Sequence, residues 1–300
     1  MKLKKPEIWV FIVCACLAVA LRIYSLSKFY LLDGDSAVFG LMAKHIHGLS
    51  EIPVYMWFNH YAGALVSYIG AVFFALLGVS SWNYCLSGVL LSFCWVLATM
   101  GIGGKILDLP GFICAAGIAV IPPALLLFYS LYPGGVQAET LLSCVCILYI
   151  LLDYVRLEGK AGFLVYFILG LFCGAGLWLS PGVFPALLTV LTVFILEDRK
   201  IFSSKRIVVF LTGLSAGLLP VIVYNIYNSG ATFLHFGGRL LNLSRASLSG
   251  GDFRALLAHG FWQRLMTVPF FLAQIPTLLV RLLGMFNAVL FLIGGAVVLT

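Results

Sequence analysis

An all-α, polytopic membrane bundle is the architecture this sequence predicts, and three observations predict it. Apolar residues fill 62% of the 300 positions against 10% charged, and mean hydropathy is +1.10. Several apolar runs reach the ~20 residues that cross a hydrocarbon core. Glycine and proline punctuate those runs at Gly103-Gly104, Pro133-Gly134-Gly135 and Ser180-Pro181-Gly182, which marks breaks between helices. A water-soluble globular fold is excluded, and residues 1–300 read as a single membrane domain.

The first apolar run, about 8–26, comes after Met1-Lys2-Leu3-Lys4-Lys5. Ala18-Val19-Ala20 has the form of a leader-peptide cleavage site. The run is nevertheless a full span rather than the ~7–15 residues of a leader core, so a retained helix is expected. Residues 27–80 are expected to form an outer loop whose apolar stretch 62–79 lies in the interface. Spans are expected at about 82–101, 111–131, 140–155, 163–179, 181–196 and 207–227. A second outer loop covers 228–266, and the last run, 268–300, stops without a polar flank and reads as truncated.

Charge sets the expected topology, because Lys and Arg favour the cytoplasmic side. If 62–79 does not cross, then Lys2, Lys4, Lys5, Lys105, Arg156, Lys160, Arg199, Lys200, Lys205 and Arg206 all lie inside, ten of eighteen basic residues. If it crosses, Lys105, Arg156, Lys160 and the 199–206 cluster move outside and break the rule. The first arrangement puts the N-terminus in the cytoplasm. The net charge of +7 is thereby a loop bias, not the mark of a nucleic-acid partner. The expected location is an inner or plasma membrane.

That topology gathers the unusual polar residues outside. Asp33 and Asp35, in Leu32-Asp33-Gly34-Asp35-Ser36-Ala37, share the outer face with Glu139 and with the Asn228–Arg264 loop. An acid pair beside a bilayer is a functional-site candidate. Either aspartate also suits the N-cap of a helix starting near Ala37, and Glu139 suits the first turn of the helix 140–155. The outer loop carries Arg239, Arg245, Arg254 and Arg264 against one acid, Asp252. Two readings stand for these arginines: snorkelling from amphipathic helices, or bidentate phosphate capture. Arg22 and Arg281 stand within apolar runs where snorkelling would reach water.

His45, His47 and His60 with Asp33 and Asp35 make a divalent-metal set on paper, but their spacing is not diagnostic and no metal is expected. The eight cysteines all fall in apolar runs and read as small core or lipid-facing residues.

The stretch Asp35-Ser36-Ala37-Val38-Phe39-Gly40-Leu41-Met42-Ala43-Lys44-His45-Ile46, followed by Tyr61-Ala62-Gly63-Ala64-Leu65, resembles the first outer loop of GT-C glycosyltransferases. The likeness is to the polyprenyl-phosphate-mannose branch, which includes protein mannosyltransferases and aminoarabinose transferases. Ala119–Pro123, Gly134-Gly135 with Glu139, and Gly176-Leu177-Trp178-Leu179-Ser180-Pro181 extend it over roughly residues 8–200.

The resemblance implies a GT-C bundle with interfacial helices in the first loop. It implies inverting transfer of a sugar from a polyprenyl-phosphate donor to a glycan, lipid or protein acceptor, outside the cytoplasm. Asp35 matches the family's catalytic base and Glu139 the acid of the second outer loop. Ser36 stands where a second acid usually follows, and Asp33 is the substitute. Lys44, His60, Tyr61, Arg239, Arg245 and Arg254 are the expected substrate-binding residues, with no cofactor. Two other classes fit the sequence: a lipid or glycolipid flippase, and a catalytically degenerate homologue acting as a subunit.

Overall fold

The computed structural model describes residues 5–28, 32–157, 161–197 and 205–235. The chain divides into two units, Met1–Tyr227 and Asn228–Thr300, and the helix bundle belongs to the first. The arginines at 239, 245, 254 and 281 and the apolar run 268–300 lie outside the described residues.

Eleven α-helices form in the first unit, and the described residues hold no strand beyond an isolated bridge between Tyr55 and Gly63. In order they are α1 (Lys5–Lys28), α2 (Gly34–His47), α3 (Leu65–Leu77), α4 (Ser81–Ile106), α5 (Leu109–Val120) and α6 (Ala124–Leu131). Then come α7 (Gln137–Arg156), α8 (Phe163–Leu179), α9 (Phe184–Glu197), α10 (Lys205–Gly217) and α11 (Leu219–Tyr227). Three helices, Pro6–Lys28, Ser81–Ile106 and Gln137–Arg156, are long and apolar enough to cross a membrane. A fourth crossing is available if α10 and α11, bent by 57° at their junction, count as one span.

The helix α3 has 13 residues, so it is ~20 Å long against a ~30 Å hydrocarbon core. Two apolar runs that read as single spans are broken instead. The run 111–131 becomes α5 and α6, because Pro122 and Pro123 lack the N–H that would continue the ladder. The run 207–227 becomes α10 and α11 next to Pro220 for the same reason.

The central helix is α4, which packs against α1, α3, α5, α6 and α7. Its start is fixed by Ser80, whose hydroxyl accepts from Asn83 N–H, while the Asn83 amide donates to the Leu77 and Gly78 carbonyls closing α3. The tightest pairing is α8 with α10. A Cβ on Gly170 or Gly174 would stand 2.1 or 2.2 Å from a backbone oxygen of α10, and one on Gly213 or Gly217 would stand 2.1 or 2.3 Å from α8. The two backbones therefore touch through reciprocal glycines at i, i+4, a device that suits helix pairs in lipid.

Arg22 does not snorkel. Its side chain in α1 is fully buried. Nε donates to Ser92 Oγ at 2.8 Å, and the terminal nitrogens donate to the Val120 and Ala119 carbonyls at 3.0 Å each. Those carbonyls are the last of α5, orphaned by the proline break. The guanidinium thus sits at the negative end of a helix dipole, and Ser92 passes the network on to Ser130 of α6 at 2.9 Å.

Candidate functional site

The two aspartates near the start of α2 have different work. Asp33 is the N-cap: its Oδ1 accepts from Ser36 N–H at 2.9 Å and from the Ser36 hydroxyl at 2.8 Å. The same hydroxyl accepts from Asp33 N–H at 2.8 Å, closing a capping box. Tyr132, at the end of α6, adds a side-chain hydrogen bond to the Asp33 carboxylate. Partial burial pushes the Asp33 carboxyl upward, but the bonds from Ser36 and Tyr132 outweigh it and hold the group below the usual carboxylate range. Burial, the bond to Asp33 and the charges of Asp33 and Asp35 push the Tyr132 phenol far upward, so it stays a donor.

Asp35 lies two residues further, in the first turn of α2, exposed. Its carboxylate takes no hydrogen bond among the described residues, yet it lies in electrostatic reach of Tyr132. Ser36 is buried and committed to the cap. The serine where a second acid was expected is therefore the other half of the Asp33 cap.

Glu139 occupies the first turn of α7 and is 1% exposed. Neither carboxylate oxygen finds hydrogen-bond geometry, although the N–H groups of Val66 and of Glu139 itself lie close by. The turn that delivers it is strained. Val136 has φ 62° and ψ −60°, and Gln137 N–H bonds back to Gly135 carbonyl at 2.6 Å. This is the γ-turn of the rarer hand, on a β-branched residue. Gly135 precedes it at φ 69°, and a Cβ there would meet the Phe39 ring of α2 at 2.5 Å. Behind the turn, Tyr84 of α4 donates its hydroxyl to Pro133 carbonyl, in electrostatic reach of Glu139, Asp33 and Tyr132.

The structure thus ties Asp33 to Tyr132 by a hydrogen bond, with Asp35 in electrostatic reach of Tyr132 and Glu139 in electrostatic reach of Tyr84. Sequence reasoning passed over both tyrosines, and a tyrosine beside a Pro-Gly-Gly turn was the available hint. Lys44, expected to bind substrate, is exposed toward the other end of α2. His60 bonds the Tyr224 hydroxyl through Nδ1 at 2.7 Å, and Tyr61 is half-buried with its N–H on Asn59 Oδ1. Among the described residues no three His, Cys, Asp or Glu side chains cluster as metal ligands, and the eight cysteines are free.

No protein-family model matches the chain, and no curated protein or solved structure does either.

Proposed function

We propose that this chain is a membrane glycosyltransferase of GT-C type, moving a sugar from a polyprenyl-phosphate donor to an acceptor hydroxyl on the extracytoplasmic side. The observation that carries the reading is the division of labour between the aspartates. Asp33 is spent on the cap and on Tyr132, while Asp35 is exposed with acceptor capacity to spare. A general base needs a free carboxylate within reach of the acceptor proton, and of the two aspartates Asp35 is the one whose carboxylate is exposed and uncommitted among the described residues.

In the proposed step Asp35 takes the acceptor hydroxyl proton as that oxygen bonds to the anomeric carbon. The bond from that carbon to the lipid phosphate breaks, and the phosphate leaves with the electron pair, which inverts the anomeric centre. Asp33 holds Tyr132 beside the base. Glu139, which the resemblance matches to the acid of the second outer loop, is sealed inside in electrostatic reach of Tyr84. Cationic or dipolar groups would steady the departing phosphate; the arginines expected for this lie outside the described residues, and Lys44 stands at the other end of α2 from Asp35. The test is transfer by purified protein from a polyprenyl-phosphate sugar, paired with envelope glycan analysis after gene loss. Unchanged glycans would remove the reading.

One observation favours a second reading, lipid-linked sugar transport. The span pattern contains two broken helices and a fully buried Arg22 at one of the breaks, features that transporters use for binding. Four hydrogen bonds already occupy that guanidinium, which weighs toward a structural clamp. Vesicles separate the two: a flippase moves the donor across without consuming it.

A further inference from the structure

A second site lies in the first unit, toward the other end of α4 and α7 from Tyr84 and Glu139. Between α1, α4, α7 and α8 a groove of about 500 Å³ opens, lined among others by Phe11, Ala98, Gly101, Cys146, Tyr149 and Phe172. That is within the volume range of ligand sites. Its walls are mostly half-buried, and Phe172 is 39% exposed. Helix register gives its depth. Cys146 and Tyr149 stand ten and seven residues before Arg156, the last of α7, which is ~15 and ~10 Å along the axis. Ala98 stands eight residues before Ile106, the last of α4, or ~12 Å. One leaflet holds ~15 Å of hydrocarbon, half of the ~30 Å core. With α4 and α7 across a bilayer, the groove runs through a single leaflet, and lipid tails are the medium that meets it.

Tails would cover any apolar surface at that depth; the polar end of this groove is what makes it a site. Tyr149 is wall and cap at once. Gly101 leaves room for its ring, since a Cβ there would stand 2.9 Å from it. Lys105, one turn beyond Gly101, rests its amine 3.0 Å over the same ring, donates to the Tyr149 carbonyl at 3.1 Å and pairs with Asp153 at 2.7 Å. That amine is spent, with its side chain 3% exposed. Asp153, one turn beyond Tyr149, keeps 50% of its side chain in the open, and Arg156 is exposed three residues on. Residues three apart are neighbours on a helix surface. The groove therefore ends on an acid and a base side by side, at the depth where headgroups begin.

We propose that this groove binds one glycerophospholipid with an ethanolamine headgroup, its acyl chain along the apolar walls, its phosphate on Arg156 and its ammonium on Asp153. A zwitterion with a primary ammonium answers both charges with charge-assisted hydrogen bonds. An anionic lipid answers only the base, and a choline headgroup brings no N–H to Asp153. The inference needs α4 and α7 to cross a bilayer; it goes beyond the transfer reaction and does not need it.

Native mass spectrometry of the full chain tests it, with the protein released from detergent micelles holding equal amounts of dioleoyl phosphatidylethanolamine, phosphatidylcholine and phosphatidylglycerol. One ethanolamine lipid stays bound per chain, at least about tenfold over the other two, the scale of one hydrogen bond between charged groups. Ala98→Phe fills the groove and lowers that adduct at least about tenfold, as the loss of two buried methylenes would. Arg156→Gln, at an exposed position that leaves folding intact, lowers it by a similar factor, and it decides the matter should Ala98→Phe not fold. Leu196→Phe, 73% exposed and outside the groove, leaves the adduct unchanged. No retained lipid, equal retention of all three, or an adduct that survives either groove variant overturns the proposal and leaves ordinary annular contact. Sugar transfer plays no part in this readout, so a failed transfer assay leaves the lipid site standing, and a failed lipid site leaves the transfer reading standing.

Discussion

Two residues apart, Asp33 and Asp35 give opposite results on substitution. Asp35→Asn removes the free carboxylate at no structural position, so transfer falls at least about a hundredfold, the range of a lost general base, while expression and thermal midpoint stay unchanged. A turnover assay beside a melting curve reads both, and unaltered turnover would end the base assignment. Ser36→Ala instead opens the capping box and costs ~0.5–2 kcal/mol of stability. Its pH signature has a definite sign. The folded Asp33 carboxyl is held below its ordinary range, so the cap's contribution is complete above the unfolded value of about 3.9 and fades as pH falls through the lower folded one. Urea melts of wild type and Asp33→Asn should converge in acid and separate toward neutrality. Part of this was legible: an aspartate ahead of an apolar run suits an N-cap, and the acid pair stood out in an apolar chain. What could not be read was Tyr132 and Tyr84. Their link to Asp33 and Glu139 comes from chain folding over separations of tens of residues.

Helices in this chain are joined by backbone contact and by one buried cation, and both are testable. Gly213→Leu puts a side chain where a Cβ alone is already 2.1 Å from the Phe167 carbonyl. The α8–α10 pair must part, at ~1–3 kcal/mol, and the thermal midpoint drops. Gly117→Ala is the control, since nothing lies within 4 Å of a Cβ there, and it is neutral or gains slightly from helix propensity. Arg22→Met leaves the Ala119 and Val120 carbonyls buried without donors, at ~1–3 kcal/mol each; a melting curve matching wild type would refute the clamp. Element positions were legible where the apolar runs were unbroken, as for the expected span 82–101 against α4. They were misread where length was counted without the prolines. A window of apolar residues over 111–131 looks like one span until Pro122 and Pro123 remove the ladder, and Arg22 looked like a snorkelling cation until the freed carbonyls of α5 supplied its partners.

Along α4 and α7, the Tyr84–Glu139 end and the Lys105–Asp153 pair lie at opposite ends. Lys105, near the end of α4, pairs with Asp153, near the end of α7, at 2.7 Å, and its amine rests 3.0 Å over the Tyr149 ring. Tyr84 and Glu139 stand together at the starts of the same two helices. From Tyr84 to Lys105 is 21 residues, or ~31 Å of helix, close to the ~30 Å hydrocarbon core. If α4 and α7 cross the bilayer, the acid cluster and the Lys105–Asp153 pair must therefore face different compartments. On the proposed topology, in which the positive-inside bias puts Lys105 in the cytoplasm, Asp33 and Asp35 would lie outside, where a polyprenyl-linked donor would be met. Lys105 itself is a poor probe, because its side chain is 3% exposed. Ile106, at 55% exposure, and Gly34, with open space around its Cα, serve instead. In a cysteine-free background, Gly34→Cys should react with an impermeant maleimide on intact cells, and Ile106→Cys only after lysis. Labelling of both from one side would mean that α4 does not carry the chain across. The acids would then share a compartment with the basic loops, and an extracytoplasmic transferase would lose its geometry.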